Sequence, residues 1–110
     1  MIYKYYIYIM TNQHRTVLYT GVTNSLTRRI GQHRAGKDGS FTADYNVNLL
    51  DYWEGFVNVR NAIRREKEIK GWRREKKLAL VNSLNAEWND LGDSFLDLGP
   101  APKGTWKPHT

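Results

Sequence analysis

The sequence contains no cysteine, which excludes a disulfide framework, a thiolate zinc site and a cysteine nucleophile. Long apolar runs are also missing, because stretches such as Tyr5 to Met10 are far too short to span a bilayer. The first four residues do not begin a signal peptide. There is no glycine-rich phosphate loop, no Ser-His-Asp order and no HExxH motif. We therefore expect a cytoplasmic protein with no membrane partner and no small-molecule cofactor.

Acidic residues are scarce in one part of the chain. Residues 60–77 contain nine Lys/Arg against three Asp/Glu, whereas residues 1–59 contain six against four and residues 78–110 two against four. The formal net charge of +6 is therefore concentrated in eighteen residues. Contact with a phosphate backbone requires such concentration, although a solvated helix face has the same composition.

The 110 residues, 40% of them hydrophobic, suffice for one core but not for two. Their pattern predicts an α+β fold of β-β-α-β-α-α order, a small sheet flanked by helices. The predicted strands cover residues 3–10, 17–22 and 49–53, and the first two form an antiparallel hairpin. We expect one folded domain over residues 1–90 and a flexible C-terminal extension over residues 91–110, rich in proline and glycine near its end.

Capping residues define the predicted helices. Asn24 or Ser25 caps a helix from residue 26 to about residue 35. Asn58 caps a long helix from residue 59 to about residue 80, interrupted near Gly71. A short turn follows at residues 85–88. Gly21 closes the second strand, where the absence of a Cβ permits close approach of another backbone.

Glu66 is the most informative single position. The helix predicted from residue 59 has an apolar stripe through Ala62 and Ile69, and Glu66 falls on that stripe, whereas Glu68 points to the opposite side. A carboxylate aimed at the core must be paired, protonated or bound to a metal, because burying it alone is costly. The two interpretations are an internal salt bridge to an arginine and a ligand for a hard cation such as Mg²⁺.

Arg29 and His33 are spaced i, i+4 and project from one face of the first helix. An arginine there can bind a phosphate bidentately and stabilise the charge of a phosphoryl transition state. A neighbouring histidine can position water or donate a proton. The alternative is an ordinary surface pair.

Tyrosines are abundant in the hairpin. Strand alternation puts Tyr6 and Tyr8 on one face and Tyr3 and Tyr5 on the other. Tyr19 of the second strand lies close to Tyr8 if the hairpin register is short. Strand tyrosines usually serve packing, but a phenol surrounded by cations can act as a general base.

Together these motifs resemble the GIY-YIG nuclease domain of small, stand-alone bacterial proteins. The two signature tripeptides align with Tyr6-Ile7-Tyr8 and Tyr19-Thr20-Gly21. Residues 21–33 resemble the helix that carries an arginine and often a histidine, residues 62–72 the helix with the metal-binding glutamate, and residues 85–88 a closing segment. The resemblance covers about residues 3–90. Tyr6 replaces the first glycine and Thr20 the central isoleucine, and neither change removes a catalytic group.

The resemblance implies a three-stranded antiparallel sheet and a single Mg²⁺ or Mn²⁺ held by Glu66. Tyr8 or Tyr19 would be the base, with Tyr8 favoured, while Arg29 matches the phosphate-stabilising arginine and His33 a helper. Gly21 and Asn85 would be structural. The expected nucleic-acid contacts come from Lys37, Arg64, Arg65, Lys70, Arg73 and Arg74.

The resulting hypothesis is a DNA endonuclease of low sequence specificity that uses one divalent ion in DNA repair or processing, on duplex, branched or single-stranded DNA. The rival hypothesis is a non-catalytic DNA- or RNA-binding module on the same fold, with a basic helix and aromatic strands as its platform. Convergence of Tyr8, Tyr19, Arg29 and Glu66 on one pocket discriminates between them. The sequence gives no indication of the oligomeric state.

Overall fold

A computed structural model describes residues 2–35 and 46–92 of the chain. Its centre is a three-stranded antiparallel sheet of order β2-β1-β3, formed by β1 (Tyr5–Thr11), β2 (Leu18–Thr23) and β3 (Leu49–Phe56). The helices are α1 (Leu26–Ala35), α2 (Val59–Lys70) and α3 (Arg74–Leu84). The predicted α+β fold is therefore confirmed. Lys37 and residues 93–110 of the predicted extension lie outside the described residues.

The central strand β1 is covered on both faces. Its residues 7–10 are all buried, as expected when helices pack on both sides of a sheet. One face forms an aliphatic cluster with α2 and α3 that includes Ile7, Ile9, Val22, Ala62, Ile69 and Val81. The other face packs against α1 in a cluster that includes Tyr8, Met10, Leu26, Ile30 and Leu50. The alternation of β1 therefore sorts its side chains into two separate layers.

Local hydrogen bonds fix the helix ends. The hydroxyl of Ser25 accepts from the backbone N–H three residues on, at 3.2 Å, and the side chain of Asn58 accepts from the N–H two residues on, at 2.8 Å. The interruption predicted near Gly71 separates α2 from α3, which continues to Leu84. The predicted turn at residues 85–88 is present. No helix in the described ranges has the length and apolar character needed to cross a membrane.

One prediction about the first strand is wrong. Tyr3 was expected on the face opposite Tyr6, but β1 begins only at Tyr5, so alternation does not extend to Tyr3. The Tyr3 ring instead packs edge-on against the rings of Tyr6 and Trp53, with both centroid distances 6.3 Å.

The segment after α3 covers part of the outer edge of β3. The Leu50 N–H donates to Asp90 Oδ1 at 3.0 Å, and the Leu91 N–H donates to the Leu50 carbonyl at 2.8 Å. The side-chain amide of Asn85 donates to the Asp51 carbonyl at 3.1 Å. These bonds satisfy backbone groups that an edge strand would otherwise leave open. Packing therefore continues at least to Leu91.

Asp51 lies at an irregularity in β3. Ile9 pairs with Tyr52 and Met10 with Leu50, so Asp51 is the extra residue of a β-bulge. It is fully buried, and neither carboxylate oxygen accepts a hydrogen bond from the described residues. Burial raises the pKa of Asp51 to about 7, an effect that nearby Arg15 opposes and Asp90 reinforces.

The raised pKa predicts an unusual pH dependence of stability. The pKa of Asp51 is higher in the folded state than in the unfolded state. Its stabilising contribution to the free energy of unfolding is therefore complete below about pH 4 and is lost as the pH rises through 7. Asp51→Asn removes this titration. Between pH 4 and pH 8 we expect its free energy of unfolding, relative to the native sequence, to rise by about 4 kcal/mol. Urea unfolding across this range measures the change.

Glu87→Gln is the matched control for this experiment, because Glu87 is an exposed carboxylate in the segment after α3, close in sequence to the residues that contact β3. Its unfolding free energy should follow that of the native sequence at every pH. Parallel pH profiles for Asp51→Asn and the native sequence would show that Asp51 is not the titrating group.

Candidate active site

Four of the predicted site residues converge beside α1. The Tyr8 and Tyr19 rings, from neighbouring strands, have centroids 6.3 Å apart. The His33 ring lies 5.9 Å from the Tyr8 ring and 5.5 Å from the Tyr19 ring, edge-on to both. Arg29 Nε donates a hydrogen bond to the Tyr8 hydroxyl at 2.9 Å. We call Tyr8, Tyr19, Arg29 and His33 the phenol cluster.

Gly21 makes room for the phenol cluster. It pairs with Tyr8 across the hairpin, and a Cβ added to it would overlap the Tyr8 ring and hydroxyl. The expected close approach is therefore real, but the approaching group is the Tyr8 side chain and not another backbone. Any larger residue at position 21 must displace a ring that is 1% exposed.

The guanidinium of Arg29 is held by two hydrogen bonds. Its Nη1 donates to Gln32 Oε1 at 3.0 Å while its Nε donates to Tyr8. Burial lowers the pKa of Arg29, but the neighbouring Tyr8 and Tyr19 phenols outweigh this effect and raise it above its ordinary value. The guanidinium is therefore permanently charged beside two phenols. Sequence reasoning missed Gln32, although its i, i+3 spacing from Arg29 was available as a signal.

His33 is a core residue. Its exposed fraction is 3%, and it shares the buried side of α1 with Leu26 and Ile30. The alternative of a surface Arg–His pair is therefore wrong for His33. Its packing against both phenols limits how far either ring can move.

Glu66 occupies the inner stripe of α2, as its spacing predicts. It is 1% exposed and shares the buried face with Ala62 and Ile69. Lys70 Nζ, one turn further along the helix, lies 2.5 Å from Glu66 Oε1. This contact is an ion pair without hydrogen-bond geometry, and neither Glu66 oxygen accepts a hydrogen bond from the described residues. The partner of the buried carboxylate is thus a lysine, where an arginine was considered.

Glu66 and the phenol cluster belong to different layers. The structure brings Tyr8, Tyr19 and Arg29 together, but the predicted convergence of these three residues with Glu66 is not found. Ala62 and Ile69 pack with Ile7 and Ile9, which point away from the Tyr8 side of the sheet. The side chain of Thr20 is also buried, and its hydroxyl lacks a hydrogen-bond partner in the described ranges. Both layers include residues of β2, which is an edge strand.

The donor set around Glu66 suits one hard cation. Within residues 2–35 and 46–92, no group of three or more His, Cys, Asp or Glu side chains is arranged to hold a metal. A soft or tightly caged metal ion is therefore a poor fit. A buried carboxylate with an oxygen left without a hydrogen bond fits Mg²⁺ or Mn²⁺, since Mg²⁺ keeps several waters and takes further ligands from substrate phosphates.

Comparison with known proteins identifies the family of the chain. The sequence profile of the GIY-YIG catalytic domain matches residues 4–79, which include the phenol cluster and Glu66. The chain belongs to the GIY-YIG family.

Its relatives are small proteins of the UPF0213 group. One from Staphylococcus haemolyticus is 38% identical over 78 residues, which are 71% of this chain and 94% of that protein. One from Clostridium perfringens is 40% identical over 78 residues, 71% and 83% of the two chains. The solution NMR structure of a UPF0213 protein from Bacillus halodurans superposes with a TM-score of 0.52 and 30% identity, covering 78% of this chain and 90% of that one. The three-stranded domain is therefore the shared unit.

The basic surface of this GIY-YIG domain is partly committed to internal contacts. Arg65 forms ion pairs with Glu54 at 3.0 Å and with Glu68 at 2.5 Å. Arg74 donates to the carbonyls of Arg15 and Thr16. By contrast, Arg64 and Arg73 are exposed and form no ion pair with the described residues. Of the predicted nucleic-acid contacts, these last two are the best placed for immediate contact with phosphate.

Trp72 stabilises this basic surface. The Arg65 guanidinium lies 5.2 Å and the Lys76 ammonium 4.3 Å from the Trp72 ring centroid. Both are within the range of cation–π attraction. The indole therefore holds two positive charges close together at the junction of α2 and α3.

The contact between Tyr8 and Gly21 predicts a costly substitution. Gly21→Ala forces the buried Tyr8 ring to move, so we expect a loss of roughly 1–3 kcal/mol in unfolding free energy. The Arg29–Tyr8 hydrogen bond should be lost with it. Chemical denaturation measures the first effect, and the NMR signal of the Arg29 Nε–H measures the second.

Gly31→Ala is the matched control. Gly31 lies on the exposed side of α1, and an added Cβ would meet nothing within 4 Å. The same substitution should there raise the stability by about 0.5–1 kcal/mol, because alanine is the better helix former. Equal effects at positions 21 and 31 would contradict the close contact between Gly21 and Tyr8.

Proposed function

We propose that this GIY-YIG domain is a DNA endonuclease that hydrolyses phosphodiester bonds with one Mg²⁺ or Mn²⁺ ion. The observation that supports it most is the hydrogen bond from Arg29 to Tyr8, inside a cluster completed by Tyr19 and His33. A guanidinium fixed beside two phenols provides both a phosphate-binding charge and a base. A protein that only binds nucleic acid has no need to bury this combination.

In the proposed mechanism Glu66 holds the divalent ion. Its carboxylate is buried and has an oxygen available for a cation. When bound, the ion supplies positive charge that stabilises the scissile phosphate and the leaving 3′-oxygen. The burial of Glu66 serves this purpose because electrostatic attraction is stronger away from water.

Tyr8 is the proposed base. Arg29 donates to the same oxygen that carries the charge of a phenolate, so the guanidinium favours the deprotonated form. A phenolate at Tyr8 accepts a proton from the water that attacks phosphorus. Tyr19 and His33 fix the position of the Tyr8 ring, and Tyr19 is the alternative base because its side chain is less buried.

Arg29 stabilises the transition state in this proposal. As negative charge grows on the non-bridging oxygens, a guanidinium already oriented by Tyr8 and Gln32 binds them without a large reorganisation. Such preorganisation accounts for much of the rate enhancement in phosphoryl transfer.

The proposal puts the scissile phosphate at the edge of β2, a strand that contributes residues to both layers. The basic residues of α2 and α3, with Trp72 between two of them, would contact the backbone of the same strand. Contacts of this kind position DNA but do not distinguish its sequence. We therefore expect low sequence specificity and activity on DNA of several forms, in a repair or processing role.

A cleavage assay with Glu66→Gln tests the metal role. Supercoiled plasmid and branched oligonucleotides are incubated with Mg²⁺, with Mn²⁺ or with EDTA. Cleavage should require the metal and fall by about 10²-fold or more in Glu66→Gln, as expected when charge stabilisation of a transition state is lost. Glu87→Gln, an exposed carboxylate after α3, is the control and should keep its activity. Equal cleavage by native protein and Glu66→Gln would remove the assigned role.

Single phenylalanine substitutions decide between the two phenols. Tyr8→Phe should reduce the rate of cleavage by about 10²–10⁴-fold, the usual contribution of a general base, whereas Tyr19→Phe should reduce it less. The reverse order would make Tyr19 the base. Native protein that binds DNA but cleaves none of these substrates with either metal would favour the non-catalytic binding module.

A further inference from the structure

The ion pair between Glu66 and Lys70 indicates how the buried carboxylate of Glu66 is neutralised when no metal is bound. A buried carboxylate without a cation is strongly unfavourable. In this protein the cation is supplied by Lys70, whose Nζ lies 2.5 Å from Glu66 Oε1. The positive charge that neutralises Glu66 is therefore supplied by a side chain of the same helix.

The ammonium of Lys70 is also able to move away from Glu66. Lys70 is the last residue of α2, and its side chain is 44% exposed although that of Glu66 is only 1% exposed. Its ammonium is carried on a flexible four-carbon stem that can turn into solvent without moving the helix. Gly71 ends the helix directly after it. Lys70 can thus release Glu66 at little structural cost.

From these contacts we infer that Lys70 is an internal counter-ion that competes with the divalent cation for Glu66. The inference rests on the metal role of Glu66 in the proposed function. Two positive charges cannot share one buried carboxylate without strong repulsion, so a divalent ion binds only when the ammonium swings away. Lys70 therefore weakens metal binding and keeps the metal-free protein folded. Once displaced, its charge lies in solvent beside the site, where it can contact a phosphate of the DNA.

The inference predicts that removing the ammonium strengthens metal binding. In Lys70→Met the stem length is kept and the charge is lost. We expect its Kd for Mn²⁺, followed by the electron paramagnetic resonance of free Mn²⁺ and by calorimetry, to fall about tenfold, because an internal competitor reduces apparent affinity by the fraction of sites it occupies. The metal-free variant should have a lower Tm than the native protein, and Mn²⁺ should raise that Tm by more than it raises the native value.

Lys67→Met is the matched control. It removes the same charge from the same helix at an exposed position without contact to Glu66. Its Kd for Mn²⁺ should stay within about twofold of the native value, because the charge of an exposed side chain acts through water and is weakened by salt. The double variant Glu66→Gln, Lys70→Met should bind Mn²⁺ no better than Glu66→Gln and should recover stability. This double variant shows whether the effects of Lys70→Met come from the loss of competition for Glu66 or from a loss of folded structure.

Several outcomes would overturn the inference. Equal or weaker Mn²⁺ binding by Lys70→Met than by Lys67→Met would show that Lys70 does not compete. Tight binding that survives Glu66→Gln would show that the ion lies elsewhere. Because binding is measured without DNA, a protein that cleaves nothing can still show the Lys70 effect, and an active nuclease can lack it. Failure of this inference is therefore distinguishable from failure of the proposed function.

Discussion

The position of β1 between two strands and two helical layers constrains everything built around it. Successive side chains of a strand point to opposite faces, so a strand covered on both sides has no solvent-facing positions. Residues 7–11 of β1 are all buried, and the polar side chains among them are those of Thr11 and Tyr8. The Tyr8 ring is accommodated because Gly21 has no side chain, and its hydroxyl is satisfied by Arg29. The contact that makes a tyrosine tolerable in the core also brings a phenol and a guanidinium together.

The two buried carboxylates within the described residues are stabilised in different ways. Asp51 sits in a bulge, and its pKa is raised by burial, so the proton itself relieves the cost of the charge. Its cationic neighbour Arg15 is tied to the Trp88 carbonyl at 2.6 Å and cannot approach freely. Glu66 has instead a half-exposed lysine on a flexible stem. Only the second arrangement lets one cation replace another, which is what the proposed metal role of Glu66 requires.

The sequence predicted the elements well because their signals are local. The capping side chains of Ser25 and Asn58 begin α1 and α2 at the expected residues, and the interruption near Gly71 is confirmed. The inner position of Glu66 followed from helical periodicity. Each of these features depends on residues within one or two turns of each other.

The features that sequence reasoning missed depend on tertiary packing or on an ignored local pair. Glu54 pairs with Arg65 across two elements, and no spacing rule connects positions eleven residues apart in a strand and a helix. The burial of Asp51 requires a bulge that hydrophobic alternation does not reveal. The Lys70 contact was accessible, because glutamate followed by lysine at i+4 is a favourable helix pair. The basic character of residues 60–77 instead favours the prediction of a DNA contact for Lys70.

These internal pairs change how the basic segment should be understood. Pairing does not alter the summed charge, so the long-range attraction of a polyanion to residues 60–77 persists. Short-range contact is different, since Arg65 is held by Glu54 and Glu68 and can meet a phosphate only by exchanging one partner for another. For the DNA partner that we propose, part of the attraction is thus offset by lost contacts within the protein. Encounter with that DNA should therefore be fast and salt-sensitive. Tight binding depends on arginine and lysine side chains exchanging their contacts within the metal-free protein for contacts with phosphate.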